Sequence, residues 1–108
     1  MSNTQVVLVV CSVPEKEARG LVDQLLAERL VACVNMLGPV VSRYHWEGKI
    51  EEGQEMVLLM KTTAPLKARL RRRISELHSY AVPEVLEFDV DSGLESYLDW
   101  VKGSCSDA

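Results

Sequence analysis

The order of the predicted elements indicates an α+β domain of the ferredoxin-like type, in which a βαββαβ series forms two split βαβ units before a C-terminal helix. Two observations and one general rule lead to this fold class. Apolar residues occur alternately in runs of strand length and in stripes at helical spacing. Both crossovers are expected to take the usual right hand. The 108 residues suffice for one ordinary domain, so residues 1–108 are interpreted as a single domain.

The first strand and the first helix follow each other directly. Residues 6–11 form a β-branched apolar run of strand length. Residues 12–15 then provide an N-cap serine, an early proline and a capping-box glutamate, which predicts that a helix begins here. One apolar stripe defines the buried side of this helix: Ala18, Leu21, Val22, Leu25, Leu26 and Leu30.

Two long strands are predicted at residues 32–46 and 49–62, joined by a turn at Glu47-Gly48. The pair Gly38-Pro39 cannot continue a regular ladder, so it predicts a bulge or a bend in the first of them. Glu52-Gly53 is expected to be a second irregularity opposite the first. Together the two strands are predicted to form an extended hairpin.

The second helix is signalled by Thr62, Thr63 and Pro65, and it is predicted to end near His78. Its apolar face consists of Leu66, Leu70, Ile74 and Leu77. Residues 80–83 are expected to be extended, because a residue before proline avoids the helical region.

The last strand and helix complete the series. Residues 85–90 alternate as a half-buried strand. A short helix follows and is expected to end at Gly103, which leaves residues 103–108 as a flexible tail. Its apolar side consists of Leu94, Tyr97, Leu98 and Val101.

The apolar character of the sheet predicts an oligomer. Residues 6–11 and 56–60 are apolar at every position, which is typical of strands buried on both faces, whereas helices cover only one face of this fold. The hairpin strands also exceed the usual length of roughly 5 to 6 residues. An exposed apolar patch of this kind normally marks an interface, and a symmetric homo-oligomer is the economical way to cover it.

Composition excludes several classes of protein. The longest apolar run, residues 6–11, is far shorter than the roughly 20 residues of a membrane span, so no membrane partner is expected. A net charge of −4 argues against nucleic-acid binding, and the basic residues within 67–73 are interpreted as a solvated helix face. The predicted first and third strands also lack the aromatic residues that RNA-binding sheets use. Because residues 1–5 carry no lysine or arginine, a cytoplasmic location is expected.

The chain contains none of the usual catalytic or nucleotide-binding motifs, such as GxGxxG, GxSxG or HExxH. Acylphosphatase-like chemistry would need a phosphate-cradling loop after strand one, but Pro14 removes a backbone donor there. We therefore expect a protein without enzymatic activity and without an organic cofactor.

The three cysteines are expected to be reduced thiols, because their number is odd and no CxxC pair occurs. Cys33 lies among apolar residues and is interpreted as a core residue, whereas Cys105 is expected to be fully exposed in the tail. Cys11 is placed at the C-terminal end of strand one, before a helix N-terminus whose field can favour a thiolate. A core role and a ligand role both stay open for Cys11.

The two histidines offer weaker signals, because no pair of potential ligands has the spacing of a metal site. His45 lies between Tyr44 and Trp46 and is interpreted as a surface or interface ring. His78 ends helix two, where the helix dipole would stabilise a charged imidazole. A capping role and a ligand role both stay open for His78.

Several segments taken together resemble the CutA divalent-cation tolerance family, and their shared order and spacing span nearly the whole chain. The resemblance implies a ferredoxin-like protomer assembled as a tight homotrimer, similar in architecture to PII-type signalling proteins. The segments are residues 30–35, residues 42–50 with Trp46-Glu47-Gly48, Lys61-Thr62-Thr63, His78-Ser79-Tyr80, Val82-Pro83-Glu84 and Tyr97-Leu98-Asp99-Trp100.

The resemblance also implies a metal site. The thiol after strand one falls on Cys11, and the histidine of a His-Pro-Tyr motif falls on His78. Thiolate with imidazole suits Cu(II) or Zn(II), and water or a neighbouring subunit would have to complete such a site. The sequence departs from the family at Ser79, where proline is usual, and at Leu77, where some relatives have a second histidine.

Two functions follow from the resemblance. The first is that of a trimeric, copper-binding, metal-responsive protein. The alternative is a PII-like module that binds a small anion or a protein partner at clefts between subunits, with Lys61 as the positive charge that would attract an anion. A purely structural role, which the resemblance does not imply, is a third option. The aromatic members of the cleft could equally pack the trimer. The residues expected to line the cleft are Tyr44, Trp46, Glu55, Lys61, Tyr80 and Glu84.

Overall fold

The computed structural model describes residues 5–106. Within this range the chain forms four strands and three helices in the predicted order. They are β1 (Val6–Pro14), α1 (Glu15–Ala27), β2 (Cys33–Trp46), β3 (Lys49–Thr63), α2 (Ala64–Leu77), β4 (Val85–Asp89) and α3 (Glu95–Ser104).

The four strands form one sheet in the order β2-β3-β1-β4, with every neighbouring pair antiparallel. Each βαβ unit is therefore split by a strand of the other, which confirms the ferredoxin-like fold. Helices α1 and α2 cover one face. The core lies between this face and the helices and includes Val7, Val9, Cys11 and Val13 of β1, Leu58 and Met60 of β3, Leu21 and Leu25 of α1, and Leu70 and Ile74 of α2.

The opposite face of the sheet is apolar and largely uncovered. Leu8 and Val10 of β1 pair with Phe88 and Leu86 of β4, and the side chains of Phe88 and Leu86 are each 50% exposed. We call the face that carries these four side chains the open face. Helix α3 reaches it only at one end, where the Tyr97 hydroxyl lies 3.5 Å from Sγ of Cys33. In the single protomer, the predicted burial of both faces is achieved on one face only.

The β2–β3 hairpin extends well beyond the helices. The radius of gyration is 14.5 Å, compared with about 13 Å for a compact domain of this length. The predicted bulge is confirmed, because Leu37 pairs with Val57 and Val40 pairs with Glu55. Gly38 and Pro39 therefore oppose the single residue Met56.

Glycine is required at the bulge. Gly38 has a φ of 135°, a region that L side chains rarely adopt. A Cβ atom at this position would lie 3.0 Å from the backbone oxygen of Glu55 and 3.0 Å from the backbone nitrogen of Val40. The second predicted irregularity, at Glu52-Gly53, was wrong: both residues pair in register with Arg43 and Ser42.

Two helix ends and the burial of one side chain differ from the sequence-based expectation. Ser12 does not cap α1, because β1 continues through it to Pro14 and Ser12 pairs with Val57. Helix α3 runs past Gly103 to Ser104, and the N–H of Ser106 then donates to the carbonyl of Arg29 at 3.0 Å. Leu26, predicted to lie on the buried stripe of α1, is exposed. Ladder pairing and tertiary contacts outweighed the local signals at these positions.

The basic residues of α2 are in part paired with carboxylates. Arg71 forms two hydrogen bonds with Glu87 of β4, at 2.6 and 2.9 Å. Arg73 contacts Glu28 after α1 and Glu76 one turn further along α2. These pairs fix α2 against its neighbours. Within residues 5–106, no helix has the length and apolar character needed to cross a bilayer.

Candidate functional site

A cleft of about 880 Å³ lies between the base of the hairpin and the segment that joins α2 to β4. One wall is the hairpin and the other is residues 79–84. The cleft is lined by Ser12, Ser42, Arg43, Tyr44, His45, Trp46, Glu55, Ser79, Tyr80, Ala81, Val82, Pro83 and Glu84.

The bulge in β2 decides which side chains of the hairpin face this cleft. After the bulge, Val40 pairs with Glu55, so the even-numbered residues of β2 continue on the side of Glu55. Tyr44 and Trp46 are among them. If the same residues paired with β3 without a bulge, Tyr44 would oppose Ile50 and both rings would lie on the opposite side. Their side chains are 40% and 44% exposed, which leaves ring surface available to a ligand or a partner.

Glu55 and Tyr80 join the two walls of the cleft. Glu55 is a buried carboxylate, only 4% exposed, and the Tyr80 hydroxyl donates to its Oε2 at 2.9 Å. Burial, together with the hydrogen bond to Glu55 and its charge, raises the pKa of Tyr80 to about 12. The phenol therefore remains a neutral donor. Among the described residues Glu55 forms no ion pair.

His78 is buried behind the cleft, and both of its ring nitrogens are occupied. Nε2 lies 2.8 Å from the carbonyl oxygen of Ser12, so it must donate. The backbone N–H of Tyr80 donates to Nδ1 at 3.1 Å, so Nδ1 must accept. This pattern corresponds to the neutral Nε2–H tautomer and not to the charged imidazole expected at a helix C-terminus. A cation could bind at Nδ1 only if the bond from Tyr80 were broken.

Cys11 is close to His78 but is not poised as a thiolate. Its Sγ lies 3.6 Å from the Ser12 carbonyl oxygen that also accepts from His78. Burial, then the negative charges of Glu84 and Glu55, raise the pKa of Cys11 to about 12. Of the two roles left open for Cys11, the structure shows the core position, because β1 continues for three residues beyond Cys11 and its side chain belongs to the core. The field of the helix N-terminus therefore does not act on it directly. Its role as a metal ligand stays a prediction.

Five of the six residues expected at a cleft between subunits line this cleft of the single protomer, and Lys61 does not; the cleft between subunits stays a prediction. Lys61 pairs with Leu8 and Cys33 within the sheet, and its Nζ donates to Oδ1 of Asn35. It is six residues from Glu55 along β3, a separation of roughly 20 Å in an extended strand. The cationic side chain in the cleft is instead Arg43, whose Nε lies 3.3 Å from Glu52.

Ser79, at the position where the sequence resemblance led us to expect proline, forms a hydrogen bond that restrains the turn. Its hydroxyl donates to Oε2 of Glu17 on α1 at 2.8 Å. The turn that carries His78 is therefore tied to α1 through a side-chain hydrogen bond. Ser42, Arg43 and Ser12 line the cleft although sequence reasoning did not select them. The first two lie inside a segment that carries the family resemblance, which was the available signal.

The remaining two thiols are both half-buried. Cys33 is therefore not a core residue, and Cys105 is not fully exposed as expected. Among residues 5–106, no group of three or more histidine, cysteine, aspartate or glutamate side chains is arranged to hold a metal ion. Any metal site at the cleft would therefore need further ligands from water or from another protomer.

The sheet order, the split βαβ units and the long bulged hairpin define a ferredoxin-like α+β protein with a cleft at the hairpin base. A family model described as CutA1 divalent ion tolerance protein matches residues 6–104. The chain belongs to this family, which confirms the resemblance found in the sequence.

Known relatives agree in sequence and in structure. The divalent-cation tolerance protein CutA of Thermus thermophilus is 41% identical over 96 residues, which cover 88% of this chain and 93% of the relative. The crystal structure of CutA1 from Oryza sativa superposes with a TM-score of 0.93 at 33% identity and covers 99% of this chain and 100% of that one. The PII-like protein CutA from Nostoc in apo form superposes with a TM-score of 0.88 at 35% identity, with 93% and 97% covered.

Proposed function

We propose that the protein is a non-enzymatic, homotrimeric binding protein of divalent-cation tolerance, and that its cation binds in the cleft at Glu55 and Glu84. The observation that carries this proposal is the buried carboxylate of Glu55, which has a hydrogen bond from Tyr80 but no ion pair among the described residues. A buried charge is costly unless a counter-charge compensates it. A divalent cation would supply that counter-charge.

A second carboxylate supports the same position. Glu84 lines the cleft, and its charge acts on Cys11 together with that of Glu55, so both carboxylates lie near the same buried thiol. His45 also lines the cleft, but it is not grouped with the two carboxylates around one point among residues 5–106, so water or another protomer would complete the site. Carboxylate and imidazole ligands together suit Zn(II) and Cu(II), and we propose Cu(II) as the principal ion.

The pair Cys11 and His78 stays a prediction as a metal site. It lies beside the cleft, because both side chains contact the carbonyl of Ser12, a residue of the cleft lining. Binding there would require Cys11 to lose its proton and His78 to release the N–H of Tyr80. The carboxylates in the cleft need neither change, so we place the first binding event at Glu55 and Glu84.

Homotrimer formation is supported by the open face. Leu86 and Phe88 present half-exposed apolar side chains on a sheet whose other face is the core. Patches of this kind are typical of interfaces between copies of a chain. The number three follows from the resemblance to PII-type assemblies. A cytoplasmic location stays a prediction from the sequence, which cell fractionation would test.

Calorimetric titration with Cu(II) and Zn(II) tests the cation site on the assembled protein. We expect Glu55→Gln and Glu84→Gln each to weaken Cu(II) binding by about tenfold or more, which corresponds to ~1.4 kcal/mol. Glutamine keeps the acceptor for Tyr80 at position 55. Glu95→Gln, on α3 outside the cleft, is the matched control and should bind as the wild type does.

The Cys11→Ala and His78→Ala variants separate the two possible positions. Unchanged binding in both glutamine variants, with loss in Cys11→Ala and His78→Ala, would move the site to the thiol and imidazole. Unchanged binding in all four variants would remove the cleft from metal binding altogether. Circular dichroism of each variant verifies that the fold is retained.

A second function has one observation in its favour, the half-exposed rings of Tyr44 and Trp46 in the cleft. Aromatic surfaces of this kind suit a flat organic ligand, as a PII-like module would require. Glu55 and Glu84 disfavour an anion, and Lys61 lies elsewhere. A thermal-shift screen of metabolites would favour this function if a ligand stabilised the wild type and Lys61→Ala but not Arg43→Ala.

A further inference from the structure

The hairpin beyond the bulge carries a carboxylate and two aromatic rings on one of its sides. Val40 pairs with Glu55, and Tyr44 and Trp46 follow Val40 along β2 at even separations. Directly opposed residues and residues at even separations point to the same side of a sheet, so Glu55, Tyr44 and Trp46 share one side. All three line the cleft, and the two aromatic side chains are 40% and 44% exposed.

Small residues lie between Tyr44 and Glu55. Ser42 and Gly53 oppose each other at this point of the ladder, on the same side of the hairpin. A Cβ atom at Gly53 would lie 3.9 Å from the Tyr44 hydroxyl, which shows that the Tyr44 ring extends over Gly53 in the direction of Glu55. Gly53 and Glu55 are two residues apart, roughly 7 Å in a strand. The lack of a larger side chain at these two positions leaves room for a ligand between the ring and the carboxylate.

One oxygen of Glu55 is free to accept a hydrogen bond. The Tyr80 hydroxyl donates to Oε2, and among residues 5–106 no donor contacts Oε1. Because no side-chain nitrogen or oxygen in this part of the chain is both sealed from solvent and unpartnered, Oε1 must be accessible, although Glu55 as a whole is only 4% exposed. The accessible space beside Glu55 is the cleft that it lines. A buried carboxylate with an open oxygen favours a ligand that donates a hydrogen bond from a positive charge.

The charges of the lining favour a cation over an anion. Glu55 and Glu84 both belong to the lining, whereas Arg43 is its one lysine or arginine within the described residues. The Nε of Arg43 lies 3.3 Å from the carboxylate of Glu52, so the charge of Arg43 is already paired. The volume of about 880 Å³ is that of a small-molecule site and exceeds what a single metal ion needs.

We propose that the cleft binds a small organic ammonium ion, with the charged nitrogen at Oε1 of Glu55 and the carbon atoms against the rings of Tyr44 and Trp46. Aromatic faces attract cations, and an ammonium N–H forms a charge-assisted hydrogen bond with a carboxylate. An ammonium ion suits the site better than a guanidinium, because a planar guanidinium binds both oxygens of a carboxylate and Tyr80 already occupies Oε2.

This inference goes beyond the metal-binding function proposed above and does not rest on it. The ammonium ion and the divalent cation would both need the carboxylate of Glu55, so they should compete for the cleft. Excess of the ammonium ion is therefore expected to weaken the binding of Cu(II) to the wild type.

Fluorescence titration of the intact oligomer tests the proposal. The chain has two tryptophans, so Trp100→Phe leaves Trp46 as the only one and makes its emission a direct reporter of the cleft. The probe is butylammonium, titrated at constant ionic strength with a chelator present to remove metal ions. Butanol is its neutral analogue, and butylguanidinium is its planar analogue. We expect a saturable change with butylammonium, weaker binding of butylguanidinium and no saturable change with butanol.

Variants in the same background locate the bound ion. Glu55→Gln should weaken the binding of butylammonium by about tenfold or more, because the counter-charge is lost. Tyr44→Leu should weaken it by about two- to fivefold, because one aromatic face is lost. Glu95→Gln, which removes a carboxylate outside the cleft, is the matched control and should bind as its parent does. Circular dichroism verifies the fold, and Tyr44→Leu keeps the test decisive if Glu55→Gln does not fold.

The outcomes separate this proposal from that of the metal site. No saturable response to butylammonium, in a protein that still binds Cu(II), would overturn the ammonium site alone. An equal response to butanol, tighter binding of butylguanidinium, or unchanged binding in both Glu55→Gln and Tyr44→Leu would overturn it as well. A response to butylammonium that depends on Glu55, in a protein that does not bind Cu(II), would support it and would refute the metal site instead.

Discussion

The hydroxyl of Tyr80 donates a 2.9 Å hydrogen bond to Oε2 of Glu55, and this bond connects the segment after α2 to the base of the hairpin. This bond is a direct contact between the two walls of the cleft. The bond also explains how a carboxylate can be buried in the protomer, because a donor satisfies one of its oxygens.

Tyr80→Phe should remove this donor and destabilise the protein by about 1 to 3 kcal/mol, because Glu55 is left buried with one bond fewer. The tyrosine also gives the stability a pH dependence. Its pKa rises on folding from 10.0 to about 12, so the protonated phenol is favoured in the folded state. Its contribution is complete below pH 10.0 and is lost as the pH rises towards about 12.

Urea unfolding across this alkaline range measures both effects. The phenylalanine variant should be less stable at neutral pH and should lack this part of the alkaline loss. Tyr44→Phe is the matched control, because the Tyr44 hydroxyl lines the same cleft but makes no side-chain hydrogen bond within the described residues. Equal alkaline loss in wild type and Tyr80→Phe would contradict the assignment.

Gly38→Ala should destabilise the protein by about 1 to 3 kcal/mol, since alanine is strained at a positive φ and its Cβ would press on backbone atoms of Glu55 and Val40. Gly20→Ala is the opposite case. Gly20 lies within α1 with no atom within 4 Å of the added Cβ, so alanine there should stabilise by about 0.4 to 1 kcal/mol. Thermal and urea unfolding of the two variants would show opposite shifts. A neutral Gly38→Ala variant would mean that the bulge tolerates a side chain.

Phe88→Asp should break the proposed homotrimer while leaving the protomer folded. Phe88 is half-exposed on the open face, so a charge there costs little in a single protomer and much in an interface. Sedimentation velocity should show the wild type as a trimer and the variant as a smaller species. Leu26→Asp, an exposed apolar position on α1 away from that face, should sediment as the wild type does. A monomeric wild type at dilution would refute the assembly.

Glu87→Gln should reduce the sensitivity of the protein to acid. The bidentate hydrogen bonds from Arg71, and then its charge, lower the pKa of Glu87 below the usual 4.5. The ion pair therefore stabilises the folded protein fully above pH 4.5 and is lost as the pH falls through the lowered value. Urea midpoints measured over this range should fall less steeply in the variant. Glu95→Gln should retain the wild-type slope.

Much of the fold could be predicted because its periodicities are strong. The apolar run from Val6 and the stripe of Leu66, Leu70 and Ile74 gave the correct elements. The capping motif at Ser12 predicted the wrong start for α1, because strand pairing of Ser12 with Val57 outweighed its local preference for a helix N-cap. The irregularity predicted at Glu52-Gly53 was wrong for the same reason, since the regular pairing of β2 with β3 continues through these two residues.

The candidate site was harder to predict than the fold. The family pattern grouped Lys61 with Glu55, but a straight strand keeps them far apart. The state of His78 depends on a carbonyl from β1 and an N–H two residues away, and no sequence pattern reports that geometry. The contact of Cys33 with Tyr97 depends on how α3 crosses the sheet, which spacing alone does not fix.

The bulge at Gly38 also bears on how the hairpin tolerates changes in length. A deletion that removes the surplus residue would leave a regular ladder in which Tyr44 still opposes Glu51 and Trp46 still opposes Lys49, so both rings would keep their direction. A deletion between Val40 and Tyr44 would turn both rings away from Glu55 if the bulge were kept, and loss of the bulge would turn them back. The surplus residue therefore lets the hairpin absorb the loss of one residue without changing which side chains the cleft receives.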